Sequence, residues 1–223
     1  MAYQFNFAPV FANFGQLLAG AWITVLLSFG AMLLGTVVAV VCAVGKSAGP
    51  APVRWLINAY IEIIRNTPFL IQIFFIFFAL PAIGLRLSPN VAALVALTVN
   101  IGAYATEIIR AGIESIHKGQ VEAGVALGLK RGQIFRYVIM KPALRTVYPA
   151  LTSQFIYLML TSSVVSVISA TDLAAAGNNI QSKTFAAFEV YLVITGMYLL
   201  LSLAFSALFA LVRRAAFDYP MSR

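Results

Sequence analysis

The sequence predicts an all-α fold, a polytopic membrane helix bundle with five transmembrane spans in a single domain over residues 1–223. Of the 223 residues, 61% are apolar and only 10% are charged, whereas soluble domains average roughly 45–50% and 25%. The apolar residues gather in stretches that approach the roughly 20 residues a helix needs to cross a bilayer. This composition excludes an ordinary soluble enzyme, and it also excludes a disordered chain.

Each predicted span is bounded by a change in the local sequence. The first carries no charge and ends at a turn-rich segment, GKSAGPAP, at residues 45–52. The second contains Glu62, Arg65 and Pro68, so its uninterrupted apolar part is short. The third has Glu107 near its end, and the fourth is free of charge. The spans are about 17–44, 55–80, 91–110, 148–170 and 188–212, with a polar loop of about 112–145 between the third and the fourth.

The distribution of Lys and Arg predicts the orientation in the membrane. One side of the predicted bundle is rich in these residues, while the opposite side has only Arg86 and Lys183. Because positive charge marks the cytoplasmic side, we expect the N-terminus outside and the C-terminus in the cytoplasm. Residues 1–5 lack a positive region, so we expect no cleaved signal peptide. The cytoplasmic set is Lys46, Arg54, Lys118, Lys130, Arg131, Arg136, Lys141, Arg145, Arg213, Arg214 and Arg223.

Charge and rare residues exclude several other functions. A net charge of +8 suggests nucleic acid only in a soluble chain, so here we expect membrane lipid and no nucleic-acid partner. One Cys and one His leave no disulfide framework and no Cys/His metal cluster, so we predict no metal site. No segment matches the phosphate-binding loop Gly-x-x-x-x-Gly-Lys-Ser/Thr, and we predict neither ATP binding nor catalytic residues in this chain.

The polar loop of about 112–145 contains a patterned helix. Ala, Leu, Val and Glu favour a short helix over about 120–127, and Gly128 is suited to end it. Val121, Val125 and Leu129 recur at every fourth position and form one apolar stripe. Periodicity leaves three interpretations open. The helix lies in the lipid headgroups, packs on the underside of the bundle, or docks on a partner.

Four ordered segments resemble one protein family. Glu122-Ala123-Gly124 followed by Gly128 resembles the EAA loop of bacterial ABC-importer permeases. The segment YIEIIRNTP at 60–68 and the segment GAYATEIIRAGI at 102–113 resemble the branch for polar amino acids. Thr161-Ser162 and the following Asp172-Leu173 add a fourth match, so the resemblance covers essentially the whole chain.

The resemblance implies a function, partners and a location. In this family the loop with Glu122, Ala123, Gly124 and Gly128 is the coupling helix, which lies in a groove of an ATPase subunit. The implied assembly contains a second permease copy or a paralogue and two ATPase subunits that bind ATP and Mg. It also includes an extracytoplasmic solute-binding protein, and it imports an amino acid across the bacterial inner membrane. Gly124 departs from the usual Ala, which weakens the helix by up to about 1 kcal/mol.

Four charged residues lie within the predicted spans. Glu62 and Arg65 are roughly 10–15 Å inside the second span, and Glu107 and Arg110 reach a similar depth on the antiparallel third span. Because unpaired charges in a membrane are costly, we expect the pairs Glu62–Arg110 and Arg65–Glu107, either as a fixed staple or as a gate. An alternative function is an ion-coupled secondary carrier that uses this cluster, which predicts inverted repeats that the sequence lacks.

Polar side chains on three spans are candidates for a solute pathway. Pro68 predicts a kink or break at 66–68, which either frees carbonyls to face a cavity or only bends the helix to improve packing. If the fourth span is a regular α-helix, Ser162, Ser166 and Ser169 lie on one face, within about 60° of one another. There they serve either helix packing or a weakly polar wall of the pathway. The candidates are Thr67, Asn100, Tyr104, Met159, Ser162 and Ser166. Because no acidic residue lies on the upper part of the fourth helix, we expect a neutral or acidic solute.

Overall fold

A computed structural model describes residues 5–217, and every regular element within that range is helical. The all-α prediction is therefore confirmed. The signal-peptide prediction concerns residues 1–5, of which residues 1–4 lie outside the described residues. Arg223, a member of the predicted cytoplasmic set, also lies outside them.

Ten α-helices follow one another along the described chain, and three of them are extended by segments of a different helical pitch. Phe75–Ala79 and Ile134–Ile139 are π-helical, whereas Leu80–Ile83 and Ser162–Ile168 are 3₁₀-helical. The α-helices are α1 (Ala8–Ala12), α2 (Phe14–Ala48), α3 (Ala51–Arg65), α4 (Phe69–Phe74), α5 (Pro89–Glu114), α6 (Lys118–Ala126), α7 (Arg131–Gln133), α8 (Met140–Thr161), α9 (Leu173–Thr184) and α10 (Ala187–Phe217).

Within residues 5–217, four helices are long and apolar enough to cross a membrane: Phe14–Ala48, Pro89–Glu114, Arg131–Ile168 and Ala187–Ala216. A further candidate is a bent pair, Ala51–Arg65 with Phe69–Ile83, whose two axes differ by 111°. These elements agree with the predicted polytopic bundle. The angle of 111° shows that α3 and α4 do not form one straight rod.

The fourth long helix begins well before the expected start at about 148. Its early part is rich in Lys and Arg and was expected to be part of the loop, yet it continues the helix from Arg131. Ile134, Ala143 and Val147 on this part are buried. Val147 packs against Gly112 of α5, where any side chain would collide with it. Burial against neighbouring helices thus outweighs the polar composition of this segment.

The largest core lies between α2 and α5. Ala92, Ala93 and Ala96 of α5 are buried beside Ala31 and Met32 of α2. Such small residues let two membrane helices approach closely and gain packing energy. Of the candidate spans, α5 is the most buried and α10 the least, which makes α5 the central helix of the described bundle.

Helix α9 is attached to the first half of α2 through a close backbone approach. A Cβ atom at Gly20 would lie 2.8 Å from the carbonyl oxygen of Asp172 and 2.9 Å from the Cα of Leu173. The N–H of Leu173 also donates to the hydroxyl of Thr24 at 3.1 Å. The Asp172 carboxylate accepts the Ala175 N–H at 2.9 Å, which caps the first turn of α9.

We predict that Gly20→Ala destabilises the protein by about 1–3 kcal/mol, because the neighbouring atoms at this site belong to the backbone and cannot turn away. Gly15→Ala on the same helix is the matched control, since an added Cβ there meets nothing within 4 Å. Thermal unfolding of both variants in detergent measures the difference. Equal melting temperatures for the two variants would contradict the close-approach explanation.

Candidate functional site

Helix α6 ends as the sequence predicts, at a glycine with a left-handed backbone. Gly128 has a φ of +74°, a conformation that favours glycine. Its N–H donates to the Val125 carbonyl at 2.9 Å, and the Leu129 N–H donates to the Gly124 carbonyl at 3.1 Å. These two bonds form a Schellman motif, which satisfies carbonyls that the helix end leaves free. The predicted stop at Gly128 is confirmed.

The outer surface of α6 carries both polar and apolar side chains. Glu122 and Ala123 are exposed, and Val125 and Leu127 are 62% and 80% exposed. Aliphatic side chains this exposed are not packed in the core of the chain, so this surface is available to a partner or to lipid headgroups.

Gly124 faces away from these exposed side chains. It is buried, and a Cβ at this position would lie 3.2 Å from Cγ1 of Ile134. Because glycine has no side chain, α6 packs closely against the π-helical segment Ile134–Ile139 of the same chain. Of the predicted coupling set, Glu122 and Ala123 are exposed, and Gly128 shapes the exit of the helix.

The predicted break at Pro68 is present, and it is held by a residue that sequence reasoning missed. The Gln72 amide nitrogen donates to the carbonyl oxygens of Ile64 at 2.7 Å and Thr67 at 3.0 Å, and to the Thr67 hydroxyl at 2.9 Å. The Gln72 carbonyl oxygen accepts a hydrogen bond from the Asn100 amide at 3.0 Å. The freed carbonyls are thus satisfied by a side chain. The available signal was one amide within the apolar run FLIQIFFIFF.

The expected pairs Glu62–Arg110 and Arg65–Glu107 are wrong for the described structure. Glu107 instead pairs with Lys46 at 2.7 Å and with Arg110 at 2.8 Å, and Arg110 also pairs with Glu114. The physical reason is that α2 continues to Ala48, which brings Lys46 beside α5. Arg110 then finds its carboxylates one turn away on its own helix.

Glu62 and Arg65 are both exposed on the last turn of α3. The Asn66 amide donates to Oε2 of Glu62 at 2.8 Å. The guanidinium of Arg65 lies over the ring of Tyr104, 5.6 Å from its centroid, a distance at which a cation is attracted to the ring face. The two side chains therefore have partners that leave much of their charge accessible.

The serine stripe of the fourth long helix is not a single face. Residues 162–168 form a 3₁₀-helix, which turns about 120° per residue and so separates positions that an α-helix aligns. Ser162 and Met159 are fully buried, and the Ser162 hydroxyl donates to the Met159 carbonyl at 2.7 Å. Ser166 instead lines an open pocket of about 770 Å³ between α2 and α9. The predicted common wall is therefore corrected to two separate environments.

Comparison with known proteins identifies the class to which these features belong. Residues 31–217 match the family described as "binding-protein-dependent transport system inner membrane component". The chain belongs to this family.

Individual relatives resemble nearly the whole chain. A "probable glutamine ABC transporter permease protein GlnM" of Bacillus subtilis is 37% identical over 90% of this chain and 93% of its own. The "glutamine transport system permease protein GlnP" of Escherichia coli is 36% identical over 91% and 94%.

Two solved structures resemble the fold. A chain from "an amino acid ABC transporter with histidines" superimposes with a TM-score of 0.88 at 34% identity, covering 96% of this chain and 100% of that one. A chain of the "MetNI methionine ABC transporter" in an inward-facing conformation gives a TM-score of 0.69 at 24% identity, over 89% and 97%. The second likeness concerns the fold alone.

We predict that Gly128→Ala loosens the end of α6 by about 1 kcal/mol, because an L side chain at positive φ is strained. Gly119→Ala is the matched control, since it lies on the same helix without a positive φ and has no atom within 4 Å of an added Cβ. Hydrogen exchange of the α6 amides reports the change. Equal protection of the α6 amides from hydrogen exchange in the two variants would show that the Schellman motif does not stabilise the end of this helix.

We predict that Gln72→Leu costs about 1–3 kcal/mol, because it leaves buried polar groups without a partner. The double variant with Asn100→Leu should lose less than the sum of the two single losses, since Asn100 donates to Gln72. Asn90→Ala is the control. Asn90 lies on α5 like Asn100, but it is hydrogen-bonded to Thr171 and not to Gln72. Its loss should add to that of Gln72→Leu in unfolding titrations. If the losses of stability from Gln72→Leu and Asn100→Leu were also strictly additive, that result would contradict the hydrogen bond between these two side chains.

Proposed function

We propose that this chain is the transmembrane subunit of an ATP-driven importer for a polar amino acid. The observation that carries the proposal is the family match over residues 31–217, which includes both the broken helix and α6. The two glutamine permease relatives cover the chain almost end to end and support an amino acid as the solute. The subunit itself performs no chemistry in this proposal.

The four long helices and the bent pair form five spans that overlap the predicted 17–44, 55–80, 91–110, 148–170 and 188–212, with the fourth helix beginning earlier, at Arg131. The N-terminus lies outside and the C-terminus in the cytoplasm, which puts α6 on the cytoplasmic side. The excess of Lys and Arg on that side supports this orientation. Relatives in Bacillus subtilis and Escherichia coli support a bacterial cytoplasmic membrane as the location.

The proposed assembly has two such subunits, this chain with a copy of itself or with a paralogue. Two separate ATPase subunits hold ATP and Mg, and an extracytoplasmic solute-binding protein delivers the amino acid. Helix α6 is the contact with the ATPase, since its aliphatic residues Val125 and Leu127 have no partner in the described core and Glu122 lies beside them. Movement of the ATPase subunits is transmitted through this helix to the spans.

The pathway residues divide into two groups in this proposal. Thr67, Tyr104 and Ser166 reach an accessible surface and line the solute route. The buried residues Asn100, Met159 and Ser162 act from behind the wall as packing and positioning residues. Hydroxyl and amide groups suit a route that must bind a solute weakly enough to release it.

The alternative of an ion-coupled carrier is disfavoured by the arrangement of the charges. It requires Glu62, Arg65, Glu107 and Arg110 to act as one cluster. Glu107 and Arg110 are instead engaged with Lys46 and Glu114, while Arg65 lies over Tyr104. Membership of the permease family also favours the ATP-driven mechanism.

We predict that Glu122→Lys lowers solute uptake per ATP hydrolysed by roughly tenfold, because it reverses the charge of the proposed docking contact. Gln120→Lys is the control, since it places the same lysine side chain on the same exposed helix about 200° around its axis. Co-purification with the ATPase subunit and uptake into proteoliposomes are the measurements. Full uptake and full coupling in Glu122→Lys would refute the docking role of this residue.

A further inference from the structure

Glu62 and Arg65 lie beside the middle of the central helix. The hydroxyl of Tyr60 donates to the carbonyl of Val99 at 2.6 Å, and Arg65 lies over Tyr104. Helix α5 runs from Pro89 to Glu114, so at about 1.5 Å per residue Tyr104 is about 22 Å from the start of this helix and about 15 Å from its end. The last turn of α3 is therefore well inside the bundle and far from the headgroups.

Both charged side chains are nevertheless exposed on the surface of the subunit. A charged group that faces hydrocarbon at such a depth costs several kcal/mol, and membrane proteins turn these groups towards water or a partner. This face of α3 thus borders either a water-filled cavity or another protein chain. It lies immediately before the helix break at Pro68, where transporters commonly build solute sites.

The two charges are held apart although their spacing permits a pair. Glu107 and Arg110 have the same i, i+3 spacing and form an ion pair at 2.8 Å. Within residues 5–217 no such pair joins Glu62 to Arg65. Asn66 holds the Glu62 carboxylate from one side, and the ring of Tyr104 holds the Arg65 guanidinium from the other. The last turn of α3 therefore presents a separated negative and positive charge.

We propose that Glu62 and Arg65 together bind the two charged groups shared by all zwitterionic α-amino acids. Arg65 binds the carboxylate, since a guanidinium donates two parallel hydrogen bonds to a carboxylate. Glu62 binds the ammonium group through the oxygen that Asn66 leaves free. Residues at i, i+3 have Cβ atoms about 5–6 Å apart, a separation that the two ends of one amino-acid backbone can bridge.

This arrangement recognises the amino-acid backbone and leaves the solute side chain to other parts of the route. The ring of Tyr104 competes for Arg65, so the solute is bound weakly and can leave again. The inference rests on the proposed function, since it names a binding step within that import route. Tyr104 is a positioning residue here, because it acts through Arg65.

The test compares Arg65→Gln and Glu62→Gln with the unaltered protein in proteoliposomes that contain the complete transporter. The probe is a ¹⁴C-labelled mixture of L-amino acids. We expect each variant to lower uptake by roughly tenfold or more, the effect of losing one charge-assisted contact. ATP hydrolysis stimulated by the solute-binding protein and the yield of the complex should remain at the level of the unaltered protein. Arg54→Gln, an exposed arginine on the same helix, should leave uptake unchanged.

Three outcomes would overturn the inference. One is normal uptake by Arg65→Gln, and another is loss of the complex in that variant, which would make Arg65 a structural residue. The third is full uptake by the charge-swapped variant Glu62→Arg/Arg65→Glu, which would indicate an ion pair between two subunits. Failure of the unaltered protein to import any labelled amino acid would instead refute the proposed function. Partial recovery of uptake by Arg65→Lys would support the role of the positive charge.

Discussion

The architecture depends on satisfying the backbone at one break inside an apolar bundle. Pro68 ends the helical pattern of α3, and hydrocarbon offers no water to bond the freed carbonyls. Gln72 supplies the missing donor to Ile64 and Thr67, and its other end accepts from Asn100. One side chain therefore makes the break tolerable and fastens it to the central helix α5.

Helix α5 connects the features that a transport cycle must coordinate. Its first half packs against α2 through small residues, and its middle contacts the broken helix through Asn100 and Tyr104. At its other end Glu107 joins Lys46, and the chain enters α6 only four positions after Glu114. Helix α5 is thus the one continuous element of the described chain that lies between the start of α6 and the break.

The candidate site was predictable where local chemistry decides the conformation. Proline at position 68 required a break, and Gly128 suited the left-handed end of α6. The partners of charged and small residues were not predictable in the same way. Lys46 reached Glu107 because α2 is longer than its apolar stretch. The direction that Gly124 faces was set by Ile134, ten residues later, and by no property of α6 alone.

The sequence by itself determined the helical class, the approximate positions of the long helices and the short helix in the polar loop, because apolar periodicity and turn residues act over one or two turns. Only the tertiary structure decided the bend of 111°. It also decided the 3₁₀ segment that separates Ser162 from Ser166 and the choice of ion-pair partners. These features depend on which helices lie side by side. The local sequence is compatible with several arrangements of neighbouring helices and ion-pair partners. Packing between residues that are distant in the chain selects one of them.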